Sequence, residues 1–193
     1  MTVTAQPTAA HPTAAHPTVE GLLLRPFEDT DAPALIEIHR DETLRRFIRN
    51  PVEGPEQAAA WLALQHEGWA AGTRFSFAVL DADELVGTVV LKRGTPGGDT
   101  AEVGYWTAGP ARGRGVAPRA VEALTAWAFA AFEADGLHRI DLLHAGDNHA
   151  SCRVAEKSGY RLAEIVPAFP PYPLDGHRHS RNRLDGSGRR RSE

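Results

Sequence analysis

The hydrophobic pattern of this chain predicts a mixed α/β fold, with helices layered against a mixed sheet. Three observations predict it. Short β-branched and aromatic runs are bounded by turn residues. Longer stretches between them carry apolar residues at helical spacing. The 193 residues, 42% hydrophobic and 24% charged, suit one domain with a sizeable core. The elements follow in the order β-α-α-β-β-β-α-β-α-β.

Residues 1–19 are low-complexity, built from Thr, Ala, Pro and a repeated Ala-His-Pro-Thr. Such a segment buries too little apolar surface to offset its ordering entropy, so a disordered leader is expected. Its His11 and His16 are potential metal ligands, but a plain leader is the preferred reading. A single domain is expected over 20–184, opened by a short strand at Gly21–Pro26. Asp29, Thr30 and Asp31 are helix-capping types, and Ala34, Leu35 and Ile38 follow at helical spacing. Pro55–Ala70 reads as a second helix, with proline at its start and Ala58, Trp61, Leu62 and Trp69 on one side. Arg74–Leu80 alternates, Glu84–Leu91 is β-branched, and Asp81-Ala-Asp83 between them is turn chemistry; together they read as a hairpin.

Residues 94–99 form a loop, and Glu102–Thr107 is the next strand. Ala117, Val121, Leu124 and Ala128, then Phe132, mark one stripe of a helix. His138–His144 is a strand, Asn148–Lys157 a helix stopped by Ser158-Gly159, and Gly159–Val166 a strand. His177–Arg183 is almost wholly polar, a weak edge strand or a loop. Residues 185–193 are expected to be a disordered tail.

A formal net charge of -4 argues against a general nucleic-acid binder. The single cysteine, Cys152, cannot form an internal disulfide, which points to a reducing compartment. No charged start followed by an apolar run opens the chain, and no run approaches the roughly 18–20 apolar residues of a membrane span. A cytoplasmic protein without a membrane partner is expected.

The stretch Ala111-Arg-Gly-Arg-Gly-Val-Ala-Pro118 joins a strand to a helix. A helix N-terminus presents unpaired N–H groups and a partial positive charge. Gly113 and Gly115 remove side chains that would keep a ligand off those amides, and Arg112 and Arg114 add forked donors suited to phosphate. A phosphate or pyrophosphate cradle is the sharper reading; a solvated basic turn is the bland one. A Walker loop would need Lys-Ser/Thr where Val116-Ala117 stands, and the dinucleotide fingerprint needs three glycines at wider spacing.

Arg112-Gly-Arg-Gly-Val-Ala117 resembles the Gln/Arg-x-x-Gly-x-Gly/Ala motif of the GCN5-related N-acetyltransferases (GNAT). Glu102-Val-Gly-Tyr-Trp106, Asn148-His-Ala-Ser151 and Glu156-Lys-Ser-Gly-Tyr160 flank it in the order of the RimJ/RimL-like branch, which acts on ribosomal-protein N-termini. The resemblance spans roughly residues 20–166. It implies the acyl-CoA N-acyltransferase fold, a twisted mixed sheet flanked by about four helices, and acetyl-CoA as cofactor. It implies that the amides and side chains of Arg112, Gly113, Arg114, Gly115, Val116 and Ala117 hold the pyrophosphate. It also implies that the backbone of Trp106, Thr107 and Ala108 pairs with pantetheine, and that Asn148 and Ser151 reach the pantetheine arm and the thiol end. A plain helix N-cap is the competing role for Asn148.

An amine attacking a thioester must be neutral, an oxyanion must be stabilised and a thiolate must leave. Glu102, an acid opening an otherwise apolar strand, is the candidate base, with a surface carboxylate as the equal alternative. Burial would raise its pKa. Backbone N–H near Thr107 is the expected oxyanion donor. Relatives carry a tyrosine acid where this chain has Ala155, so Ser151 takes the catalytic acid role by resemblance. Cys152 reads as a packing residue, turned away from Ser151 on a helix.

His177 and His179 lack a convincing third metal ligand in the sequence, so no metal is expected. Phe169-Pro-Pro-Tyr-Pro173 is a rigid aromatic wall for an acceptor pocket, with Tyr172 where the branch often places a carboxylate. The acceptor is a protein N-terminus or a small amine, including an antibiotic, and the chain is a monomer or homodimer. Two other readings compete: a non-catalytic acyl-CoA sensor, favoured by Ala155 and the polar C-terminal segment, and a phosphate- or nucleic-acid-binding module, which the net charge disfavours.

Overall fold

The computed structural model describes residues 16–95, 97–168 and 173–183. Strands β1 (Leu23–Pro26), β2 (Arg74–Asp81), β3 (Glu84–Lys92), β4 (Thr100–Thr107), β5 (Arg139–Ala145), β6 (Arg161–Val166) and β7 (Gly176–Asn182) form one sheet. Their order is β1-β2-β3-β4-β5-β7-β6. Every neighbouring pair is antiparallel except β4 and β5. The helices are α1 (Ala32–Ile38), α2 (Glu42–Arg45), α3 (Pro55–Ala70), α4 (Val116–Ala131) and α5 (His149–Lys157). A parallel pair needs a crossover, and α4 supplies it. No helix among the described residues is long and apolar enough to cross a membrane.

The α3 boundaries are those the sequence predicts, while the four-residue α2 has too short a pattern to be read in advance. Asp41 caps α2 by accepting from the Leu44 N–H at 2.8 Å. The β2–β3 hairpin closes on Ala82 and Asp83, both with positive φ (48° and 68°), the geometry of a two-residue turn whose twist matches its strands. The alternation expected for β2 is not a half-buried face: Phe75–Leu80 are all buried. The reason is that both faces of β2 are covered.

On one face, Phe75, Phe77, Leu91, Val103, Ile140 and Leu142 pack against Val121, Leu124 and Trp127 of α4. Val116 and Ala120, rather than Ala117, complete the buried stripe of α4 at its start. On the other face, Phe27, Leu35, Leu62, Ala78 and Leu80 form a smaller core beneath α1 and α3. Burying each such side chain is worth about 1.5–3 kcal/mol, so the β2–β4 half of the sheet is firmly held on both sides.

The polar segment after residue 175 is a strand, but not an edge strand. β7 lies between β5 and β6, and β6 forms the edge. Cross-strand hydrogen bonding from both neighbours compensates for its poor apolar pattern. Residues 16–19, read from the sequence as leader, lie against the sheet: the His16 ring meets Trp69 and Phe77 edge-on, and Val19 bridges Leu22. Residues 1–15, residues 169–172 of the expected wall at 169–173, residue 184 and the expected tail at 185–193 lie outside the described residues.

Candidate active site

β4 and β5 pair only from Thr100↔Arg139 to Val103↔Leu142, although β4 continues to Thr107 and β5 to Ala145. Past that point β4 stays bonded to β3 as far as Thr107↔Gly87, and β5 stays bonded to β7 as far as Ala145↔Gly176. The sheet therefore opens between β4 and β5 while both flanks stay fixed. Strand groups alternate sides. Ala108 N–H donates to the Val86 carbonyl at 2.9 Å, so it faces β3 and is spent. By the same alternation Trp106 faces β3, and Thr107 presents its N–H to the opening. Of the three backbone positions expected to pair with pantetheine, Thr107 is the one whose N–H is turned the right way. Its Oγ1 is also buried, with no protein hydrogen-bond partner among the described residues.

The strand ends in a 3-10 turn (Gly109–Ala111), and the glycine-arginine turn leads into α4. Gly113 and Gly115 have φ of +76° and +77°. This left-handed region suits glycine. A Cβ on Gly113 would meet nothing within 4 Å, so the glycine is demanded by the backbone and leaves open space in front of it. Among the described residues no side chain caps α4. The N–H groups of Val116 and Ala117 therefore have no intrahelical acceptor, and Pro118 has no N–H to satisfy.

Both arginines of the turn are paired. Arg112 makes a bidentate contact to Asp41 at 3.1 and 2.9 Å, and Arg114 pairs with Asp81. Arg112 and the Leu44 N–H hold the Asp41 carboxyl below the usual range. Arg46 on the α2 side reaches Asp147 on the β5–α5 loop. The two ends of α2 are thus tied, one to the turn after β4 and the other to the loop after β5. None of these partners was legible in the sequence, because each joins segments far apart in the chain.

Ser151 is buried on α5, where the Asn148 side chain caps the helix by accepting from Ser151 N–H at 3.2 Å. The capping role for Asn148 is present. Sequence reasoning missed Tyr105, whose hydroxyl donates to Ser151 Oγ at 2.8 Å. Burial pushes its pKa up to about 12, so it keeps its proton. Tyr105 lies two residues after buried Val103, a spacing that puts it on the α5 face and was available as a signal.

Glu102 lies on the opposite face, with Trp106. Its carboxylate bonds Lys92 Nζ at 2.6 Å, and the side chain is 42% exposed. The expected burial is not there. Glu102 instead lines an open cavity of about 330 Å³ at the foot of the opening, with Lys92, Asp141, Leu143 and Arg178. Above it, Trp106 meets the ring of His39 edge-on at 5.5 Å. His39 Nδ1 accepts from Val52 N–H at 2.8 Å, and burial lowers its pKa to about 4.

A sheet parted beside an uncapped, glycine-opened helix start defines an acyl-CoA-binding transferase. The comparisons agree. Residues 21–161 match the acetyltransferase (GNAT) domain family. The N-acetyltransferase YoaA of Bacillus subtilis, itself uncharacterised, is 30% identical over 153 residues, 77% of this chain and 84% of that protein. A GNAT-family acetyltransferase from Bacillus anthracis superposes with a TM-score of 0.73 at 25% identity, covering 86% of this chain and 96% of that one. RimL, a ribosomal L7/L12 α-N-protein acetyltransferase solved with coenzyme A, superposes with a TM-score of 0.77 at 20% identity, covering 86% and 96%. The chain belongs to the GNAT acetyltransferases and is an acetyl-CoA-dependent N-acetyltransferase. The nucleic-acid reading has no support from that membership. The residues fit the cofactor: the unpartnered Thr107 hydroxyl, the open space before Gly113 and the uncapped α4 amides follow one another from the parted end of β4 into α4.

Proposed function

We propose that this chain acetylates the α-amine of a protein or peptide N-terminus, with small amines as the rival acceptors. The observation that carries the reading is the opening between β4 and β5, which has a proton donor on one face and a carboxylate on the other. Acetyl-CoA supplies the activated acetyl thioester. Gly113, Arg114, Gly115, Val116 and Ala117 offer main-chain donors to its pyrophosphate, with Arg112 and Arg114 exchanging their carboxylate partners for phosphate. Thr107 N–H is the donor for the acetyl oxygen. Glu102, released from Lys92, takes the proton lost by the attacking amine. Tyr105, through Ser151, returns one to the sulfur as the carbon–sulfur bond breaks. Tyr105 thereby supplies from β4 the acid that Ala155 cannot. RimL acts on a protein α-amine, and the open cavity that Glu102 lines beside Lys92, Asp141 and Arg178 leaves room for an unfolded chain end.

Thiol release from acetyl-CoA tests this against peptides with a free N-terminus, the same peptides N-blocked, polyamines and an aminoglycoside. Turnover is expected with free peptides and not with blocked ones. Glu102→Gln should lower kcat by about 10²-fold or more with KM for acetyl-CoA unchanged. Turnover confined to the small amines would overturn the acceptor assignment, and an unchanged kcat would remove Glu102.

A further inference from the structure

Four side chains unused by the acyl transfer meet beneath α5. His144 and His177 are directly opposed on β5 and β7, and His179 follows two residues later, so all three project from one face of the sheet. Cys152 comes down from α5 onto the same face, its Sγ 3.4 Å from His177 Nδ1. One ligand atom from each residue lies within 4.8 Å of all the others.

The polar chemistry of this cluster is unfinished. His179 is 2% exposed, yet neither ring nitrogen makes a well-formed hydrogen bond among the described residues, the Tyr160 carbonyl beside the ring being its nearest backbone acceptor. His144 Nε2 is likewise buried and unpartnered. His144 Nδ1 lies 2.8 Å from the Ala145 carbonyl, which can only accept. Nδ1 therefore carries the proton, and Nε2 presents a lone pair to the cluster. A carbonyl that fixes the tautomer in this way is the usual second partner of a metal-bound histidine. Buried nitrogens without partners are costly in an apolar core, and stacking does not satisfy them, although the His144 and His179 rings lie nearly parallel at 5.2 Å.

We propose that His144, Cys152, His177 and His179 bind one Zn²⁺ ion, a site separate from the acyl-transfer machinery. Three imidazoles and a thiolate suit this borderline-soft ion. Zn–N and Zn–S bonds of about 2.0–2.3 Å set tetrahedral ligand edges of about 3.3–3.8 Å. The Cys152–His177 edge already has that length, and, with all four atoms within 4.8 Å of one another, no remaining edge needs to contract by more than about 1.5 Å. Binding displaces one proton, from the Cys152 thiol. Four protein ligands leave no open position, so the ion ties α5 to β5 and β7 and fixes the helix that presents Ser151, rather than activating water. The sequence points to only half of the site, the His-x-His pair on β7. The expectation of no metal rested on a missing third ligand, and the topology provides a third and a fourth.

The test is cobalt substitution of the full-length, untagged, chelator-treated protein in thiol-free buffer. Stoichiometric Co²⁺ should give strong visible d–d bands of tetrahedral cobalt and a thiolate-to-cobalt charge-transfer band in the near ultraviolet. The chain has one cysteine, so that band reports Cys152 directly. Zn²⁺ should abolish both signals in competition. Cys152→Ser should remove the charge-transfer band and weaken binding at least tenfold while leaving the far-ultraviolet circular dichroism unchanged. His11→Ala/His16→Ala should change neither signal. Weak octahedral absorption with no charge-transfer band overturns the proposal. So does stoichiometric binding that survives Cys152→Ser or is lost in His11→Ala/His16→Ala.

Discussion

The two halves of the sheet are built from different materials. β2 and β3 bury every residue over Phe75–Leu80 and Val86–Leu91, with helices on both faces. β6 exposes Arg161–Ile165, and β7 fully buries only His179. The first half is held by packing. The second is held by its ladder and by polar bridges, among them Ser180 Oγ to Asp141 at 2.6 Å, Arg178 to Glu164 at 3.1 Å and Arg181 to Glu122. The opening lies on the seam between them. A packed half keeps the β4 edge and its Thr107 donor fixed, while a polar half lets chemistry-bearing side chains occupy positions a core would deny them.

The largest effect tests that contrast directly. Phe75→Ala, in the fully buried cluster, should cost about 3–5 kcal/mol. Ile165→Ala, at 57% exposure on the edge strand, should stay within about 0.5 kcal/mol. Urea unfolding with m-values compared between variants measures both. A cost above about 2 kcal/mol for Ile165→Ala would show that the edge is covered, and the contrast between the halves would fail.

The same division sets what could be read from residues in order. The packed half was legible: its runs of apolar residues gave the α3 limits and the β2–β3 hairpin, because periodicity reports burial. The glycine-arginine turn was legible as a strand-to-helix turn because its parts are contiguous. The polar half was not. β7 has no apolar period, so an interior strand looks like an edge or a loop. Its histidines gain partners only through the Leu142↔His179 and His144↔His177 register. The Asp41–Arg112 pair, 71 residues apart, is invisible for the same reason. Tyr105 was the exception: its side was readable from β4, but not what it would meet.

At the seam, Gly115→Asp should weaken acetyl-CoA binding by at least about a hundredfold. The substitution forces a side chain onto φ +77° at the helix start and sets a carboxylate against the pyrophosphate. The α4 core below, from Val121 to Ala128, is untouched, so global stability should fall by no more than about 1–2 kcal/mol. Calorimetric titration and thermal unfolding together separate the two effects. Unchanged affinity would move the cofactor away from this turn.

The smallest effect is a pH dependence that belongs to the packed half. His39 is 2% exposed and faces Arg45, and burial takes its pKa from 6.5 to about 4. Between those values the unfolded chain binds a proton that the folded chain refuses. Its contribution to stability is therefore complete above pH 6.5 and is lost as pH falls toward the folded value. From pH 6.5 down to about 5 the loss should be about 1–2 kcal/mol. His39→Asn keeps an acceptor for the Val52 N–H but cannot titrate. Other acidic and histidine groups tilt both proteins alike, so the readout is the difference between them. The variant should gain about 1–2 kcal/mol on the wild type over that range, measured by urea unfolding at each pH. A constant difference would mean that the ring is protonated or solvated in the fold, and the packed half would then hold a polar group as open as those of β7.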